Sequence, residues 1–156
     1  MRKLTSLFIY PIKSMGGISL EQSVCEQRGL QYDRRWMLID SNGRFVSQRE
    51  HAHMSLFRLS LIDEGFKLSY RGEERAIPKS LAGTDYADVQ VWDDICKAII
   101  YDSETNEWIS NILNFNVRLA YQVNEDRRLV DPGFARNGEV TSLSDGYPYL
   151  VLGQSS

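Results

Sequence analysis

The sequence predicts a mostly-β, α+β protein, and three observations carry that reading. Short runs rich in Val, Ile, Leu, Tyr, Phe and Trp recur through about the first hundred residues, separated by turn residues every eight to twelve positions or so. Only one stretch repeats its apolar residues at helical spacing. The chain has 156 residues, 42% apolar and 25% charged, which suits a soluble globular unit with a core of its own. Many short strands with regular turns suggest a small closed or partly closed barrel with one packed helix.

Leu4 to Ile12 is the first expected strand, and Pro11 near its end fits an edge or an exit. Gly16-Gly17 turns the chain. Ile18 to Cys25 then alternates Ile18, Leu20 and Val24 with polar residues, as a half-buried strand does. Arg34 to Asp40 carries Trp36, Met37, Leu38 and Ile39 on both faces and reads as a central strand. Ser41-Asn42-Gly43 marks a tight hairpin, with Arg44 to Arg49 returning. Leu56–Ile62, Phe66–Arg71, Val89–Trp92 and Lys97–Tyr101 follow as short strands.

The helix is Glu104 to Leu113. Asp102 or Ser103 caps it, Trp108, Ile109, Ile112 and Leu113 form its apolar face, and Asn114 ends it. Val117 to Val123 is another strand. Asn124 to Asp145 is a long polar connection, of the kind that is functional or mobile. Tyr147 to Leu152 resumes an apolar strand, expected to dock on Val117–Val123. Ser155 or Ser156 reads as the N-cap of a helix still to come, so the chain reads as cut.

A net charge of −3 argues against a general nucleic-acid binder and leaves room for a local basic pocket. Two cysteines, Cys25 and Cys96, stand far apart and are too few for a disulfide scaffold, which points to a reduced, cytoplasmic setting. Both are expected as buried small residues beside strands. The basic tip and short apolar stretch at the start lack a cleavage site, and no window approaches the ~20 apolar residues of a membrane span.

Two constellations can carry chemistry. In Tyr10-Pro11-Ile12-Lys13-Ser14-Met15-Gly16-Gly17 a strand breaks into a point charge, a hydroxyl and two glycines, which suits an oxyanion or phosphate. A strand exit with a solvated Lys13 has the same pattern. In Asp33-Arg34-Arg35-Trp36 an arginine enters an apolar strand and needs a counter-charge. Asp33 or Glu50 can supply it, and so can a bound phosphate, with Arg49 as a third cation nearby. His51-x-His53 lacks a third ligand and reads as two loop histidines.

Tyr10-Pro11-Ile12-Lys13-Ser14 with Gly17-Ile18, Asp33-Arg34-Arg35-Trp36, Ser47-Gln48-Arg49, Val91-Trp92-Asp93, Arg118-Leu119 and Ser144-Asp145-Gly146-Tyr147-Pro148 follow one another in an order that resembles the MOSC (molybdenum cofactor sulfurase C-terminal) family. That family includes the mitochondrial amidoxime-reducing component and bacterial relatives. The resemblance implies an N-terminal β-barrel domain over 1–122 and the start of an incomplete MOSC β-barrel core over 123–156. It implies that Lys13, Ser14 and Arg34 hold the phosphate of the molybdenum cofactor (molybdopterin), with Asp145 near the pterin. One flexible ammonium, one hydroxyl and one guanidinium fork suit a phosphate monoester.

Two departures qualify the match. Arg35 stands where relatives usually have an aromatic residue. The family's Arg-x-x-Pro-Asn stretch and molybdenum-ligating cysteine are expected beyond residue 156, and neither Cys25 nor Cys96 matches that position. The chain alone is thus expected to anchor cofactor without catalytic residues of its own, to hold no stoichiometric molybdenum and to be inactive. For the complete protein the resemblance implies a molybdenum-dependent oxidoreductase that reduces N-hydroxylated substrates. Its expected partners are the C-terminal MOSC segment and an iron–sulfur or flavin protein as electron donor. The alternatives are a sulfur or molybdenum cofactor carrier and a non-enzymatic β-barrel interaction module. Pyridoxal phosphate belongs to a separate domain of sulfurase relatives and is not expected here.

Overall fold

A computed structural model describes residues 3–79, 81 and 85–153; the expected cap at Ser155 or Ser156 lies outside them. The elements run β1 (Leu7–Ile9), β2 (Ile18–Leu20), β3 (Cys25–Glu26), β4 (Gly29–Leu30), β5 (Trp36–Ile39), a 3-10 helix (Ala52–Leu56), β6 (Arg58–Ile62), β7 (Gly65–Tyr70), β8 (Glu73–Pro78), β9 (Tyr86–Val91), β10 (Asp94–Ile100), α1 (Ser103–Leu113) and β11 (Arg118–Gln122). The mostly-β reading with a single α-helix holds among these residues.

Among the described residues the strands do not close into a barrel. They form the antiparallel ladders β1-β2, β3-β4, β6-β7-β8 and β5-β11-β10-β9. The segment around Arg44 and Phe45 spans between the outer strands of the four-stranded sheet through isolated pairs, Phe45 with Ile39 and Arg44 with Gln90. The expected return strand Arg44–Arg49 is reduced to this. Its Asn-Gly turn is not the mirror-image type, because Gly43 alone of the pair takes a positive φ, of 80°. The Asp40 carboxylate ties the turn instead, accepting from the N–H groups of Asn42 and Arg44 at 2.8 and 2.9 Å.

β5 lies at the outside of its ladder rather than in the centre, yet all four residues are buried. Two cores explain this. Trp36 and Leu38 join a cluster with Ile9, Phe57, Phe66, Leu68 and Ile109, whereas Met37 and Ile39 join Phe45, Val89, Val91, Cys96 and Leu143. Period-2 alternation therefore sends successive side chains into different apolar clusters.

Charge hides β8 from sequence reading: Glu73, Glu74 and Arg75 sit on an edge strand, where one side needs no apolar residue. Gly65 begins the hairpin partner β7 because a Cβ there would collide with the Ile77 carbonyl oxygen.

The expected strand Tyr147–Leu152 and its docking on β11 are both overturned. β11 already pairs with β5 on one side and β10 on the other, so it has no free edge. The segment instead lies irregularly beside the β3-β4 hairpin. Tyr149 donates to the Glu26 carbonyl at 3.0 Å, and the Pro148 carbonyl oxygen lies 2.6 Å from where a Gly29 Cβ would stand. Of the incomplete second barrel expected from residue 123 onward, the described residues show one bridge, Leu129 with Val140. The connection 124–145 is nonetheless packed, with Arg128, Val130, Val140, Thr141, Ser142, Leu143 and Ser144 buried. No helix among the described residues is long and apolar enough to cross a membrane.

α1 follows its sequence signals. Asp102 caps it, accepting from the Thr105 N–H at 2.7 Å, and Asn114 ends it at φ 59°. Burial raises the Asp102 pKa, but the Thr105 backbone and hydroxyl hydrogen bonds outweigh that and hold the carboxyl below its ordinary range. Asp102→Ala is expected to cost about 0.5–2 kcal/mol at neutral pH. Because the folded pKa is depressed, that stability is complete above the unfolded value of about 4 and is lost as pH falls through the folded one. Urea melts of the two proteins should converge in acid; a gap unchanged from neutral pH to about pH 2 would contradict the assignment.

Candidate functional site

Three backbone hydrogen bonds zip the exit of β1 to the entry of β5. Tyr10 carbonyl accepts from Arg34 N–H at 2.8 Å, Pro11 carbonyl from Trp36 N–H at 3.0 Å, and Trp36 carbonyl from Lys13 N–H at 2.8 Å. Asp33 adds a fourth tie, accepting from the Tyr10 N–H at 2.7 Å. This pairing brings Lys13 and Ser14 beside Arg34. Gly16 is required just beyond, since a Cβ would meet the Phe57 carbonyl oxygen at 2.5 Å.

The side chains open into one cleft of about 540 Å³ that Lys13, Ser14, Arg34 and Asp145 all line. Arg49 stands at its rim, and Phe45 and Trp92 form an aromatic wall, their rings 4.8 Å apart. Ser14, Arg34 and Trp92 have positive φ values of 68°, 48° and 54°. They make up half of the non-glycine residues with that backbone among those described. Such strain persists where surrounding structure imposes it, and it gathers at functional sites.

Lys13 is 6% exposed, with its ammonium 2.6 Å from Asp145 Oδ1 and 5.3 Å from the centre of the Phe45 ring. Burial lowers its pKa; the hydrogen bond and charge of Asp145 oppose that, while Arg128 and Arg34 add to it. Burial acts upward on Asp145, but Lys13, the Trp92 indole and Arg49 outweigh it and hold the carboxyl below its ordinary range. Arg49 Nη2 lies 3.3 Å from Asp145 Oδ2 and its guanidinium stacks 5.3 Å from the Trp92 ring. Arg34 is not on a strand: its left-handed φ turns it into the cleft, where it pairs with buried Asp33 and not with Glu50.

Sequence reading misses Arg128. Its guanidinium is buried, pairs with Asp94 at 2.7 Å and donates to the carbonyls of Ser142, Ser144 and Asp145. It thereby shapes the loop that presents Asp145. Arg128 follows Arg127 in a polar connection, and such a charged run gives no local signal that announces this role. Arg35, which departs from the resemblance, lies over Tyr121 at 5.0 Å and donates to the Gln122 carbonyl, away from the cleft.

Cys96 is buried, and burial pushes its thiol up to about 12. Cys25 is exposed, contrary to expectation, because its strand is a two-residue hairpin arm. His51 stacks on Phe115, with ring centres 4.1 Å apart. Among the described residues no group of three His, Cys, Asp or Glu side chains gathers as for a metal ion. The cleft's ammonium, hydroxyl and guanidinium groups are a donor set of the kind that suits a phosphate.

Fold and cleft together define a small β protein with a cleft between a strand exit and a loop, lined by Lys13, Arg34 and Arg49 together with Asp145. The model of the MOSC N-terminal β-barrel domain matches residues 1–116, and the chain belongs to that family. It is 30% identical over 129 residues to a molybdenum cofactor sulfurase of Drosophila mojavensis, covering 77% of this chain and 17% of the relative. A Bombyx mori protein of the same name is 26% identical over 98% of this chain and 20% of its own length. Mitochondrial amidoxime-reducing component 1 of Danio rerio is 26% identical over 98% of this chain and 50% of its own. The chain therefore spans a fifth or less of these sulfurases and half of the amidoxime-reducing component. The solution structure of a Bordetella bronchiseptica protein shares the fold at TM-score 0.50 and 15% identity, over 64% of this chain and 85% of that one. These relationships support a role connected with the molybdenum cofactor.

Proposed function

We propose that this chain binds the phosphate-bearing end of the molybdenum cofactor, with Lys13, Ser14 and Arg34 as its anchors. The observation that carries this is their meeting, across more than twenty positions of sequence, on one cleft rimmed by Arg49. A buried ammonium supplies a strong point charge, Ser14 a hydroxyl, and Arg34 a planar fork suited to phosphate oxygens. Phe45 and Trp92 offer faces for a flat ring. Residues 123–156 are assigned to the start of the MOSC core, contributing Asp145 to the same cleft.

In the complete protein the proposed activity is reduction of N-hydroxylated substrates, with a C-terminal MOSC segment completing the site and an iron–sulfur or flavin protein as electron donor. There the molybdenum centre would supply the electrons that cleave an N–O bond. This chain's residues would bind, orient and neutralise the anionic end. A cofactor or sulfur carrier is the second reading, favoured by the sulfurase names among the relatives.

The test is an amide-shift titration of the chain with phenyl phosphate. Shifts concentrated at Lys13, Ser14 and Arg34 are expected. Shifts scattered over the surface, or centred elsewhere, would overturn the assignment.

A further inference from the structure

Asp145 occupies the place where an anionic ligand would meet Lys13. Its Oδ1 is 2.6 Å from the Lys13 ammonium and 3.3 Å from the Trp92 indole nitrogen, and its Oδ2 is 3.3 Å from Arg49. The partners are unequal in freedom: the Lys13 side chain is 7% exposed and the Asp145 side chain 61%. The ammonium is fixed at the floor of the cleft; the carboxylate reaches it from the rim. We propose that Asp145 is a built-in counter-ion, which neutralises Lys13 and Arg49 in the free chain and leaves them when a phosphate group binds. This rests on reading the cleft as a phosphate site.

The chemistry requires an exchange. An ionised carboxylate only accepts hydrogen bonds, so it has nothing to donate to a phosphate oxygen. Two anions drawn to one ammonium repel each other, and the more exposed one can return to water at least cost. A buried ammonium without any anion is strongly disfavoured, which explains why the free chain keeps a carboxylate there. Asp33 cannot take its place, since it is bound to Arg34 and to the Tyr10 N–H.

The surroundings confine the movement. Arg128 grips the carbonyls of Ser142 and Ser144, and Ser144 Oγ is held by Thr141 and donates to the Tyr147 carbonyl. Arg128 also reaches the Asp145 carbonyl at 3.4 Å, which leaves the Asp145 side chain, beside a Gly146 at which an added Cβ would meet nothing within 4 Å, as the part free to turn. Tyr147, Tyr149 and Leu150 line the same cleft. Release of Asp145 is therefore expected to reach the wall of the cleft as well as its floor.

The experiment compares inorganic phosphate binding to the wild-type chain and to Asp145→Asn, by calorimetry at constant ionic strength, with amide shifts recorded alongside. Asp145→Asn removes the competing charge and is expected to bind phosphate about three- to tenfold more tightly. In the wild type, the Asp145 and Gly146 amides should shift together with Lys13. If the wild type binds but Asp145→Asn binds equally or more weakly, Asp145 is no competitor and the counter-ion proposal fails while the phosphate site stands. If neither protein binds phosphate, the phosphate reading itself fails and takes this proposal with it. Unchanged circular dichroism of Asp145→Asn ensures that the comparison is between folded proteins.

Discussion

Trp36→Ala is expected to lower folding stability by about 3–5 kcal/mol, the range for removing a fully buried large aromatic ring. Trp36 is 1% exposed and joins three aromatic neighbours. Phe66 meets it edge-on at 4.7 Å and 85°, Tyr121 at 4.8 Å, and Tyr32 at 6.5 Å. Its indole N–H donates to the Tyr101 hydroxyl at 2.8 Å, which in turn donates to the Pro78 carbonyl at 2.6 Å. Truncation leaves a cavity between sheets and removes a buried donor, two penalties that add. Trp36→Phe keeps most of the volume but not the donor, and should cost less than Trp36→Ala. Urea denaturation with an unchanged m-value measures both. A loss under about 1 kcal/mol for alanine would mean that the two sheets do not pack on this ring as described.

Lys13→Met is expected to weaken phosphate binding about tenfold or more, because hydrogen bonds to charged groups are the strong ones. Its effect on stability should run the other way. The Lys13 pKa is lowered chiefly by burial, so the folded chain holds that proton less tightly than the unfolded chain does. At neutral pH the ammonium therefore opposes folding, and the opposition is relieved as pH rises from the lowered folded value to the unfolded one. Methionine fills similar space without the charge, and Asp145 is exposed enough to be hydrated once alone. Stability equal to or above wild type, with binding lost, is the expected pair of results. A variant that unfolds readily and retains phosphate affinity would show Lys13 to be a structural residue.

Much of this architecture was legible because it is written locally. α1 has a cap, an apolar face and a terminator within a dozen or so residues, and the structure follows them. β5 announces its double burial through an unbroken apolar run, though not that it lies between two cores on the outside of its ladder. β8 was not legible, since edge strands tolerate charge. Neither was the fate of Tyr147 to Leu152: an apolar run states a wish to be covered, but whether a strand edge is free depends on pairings made elsewhere.

The cleft divides in the same way. Lys13, Ser14 and Arg34 stand out as residue types in suggestive local settings, and the family resemblance is what suggests a cofactor phosphate for them. That they share one cavity was decided by the zipper between residues 10–13 and 34–36, a non-local pairing. The roles of Asp145 and Arg128 depend even more on the fold. Lys13 meets Asp145 across 132 positions of sequence, and Arg128 is buried only because Asp94 and three loop carbonyls surround it. Local sequence patterns carried most of the strand-forming runs, the helix and the residue types whose chemistry suits an anion. Tertiary structure alone decided which charges meet, because pairing a buried charge is a matter of distance and desolvation that no local pattern encodes.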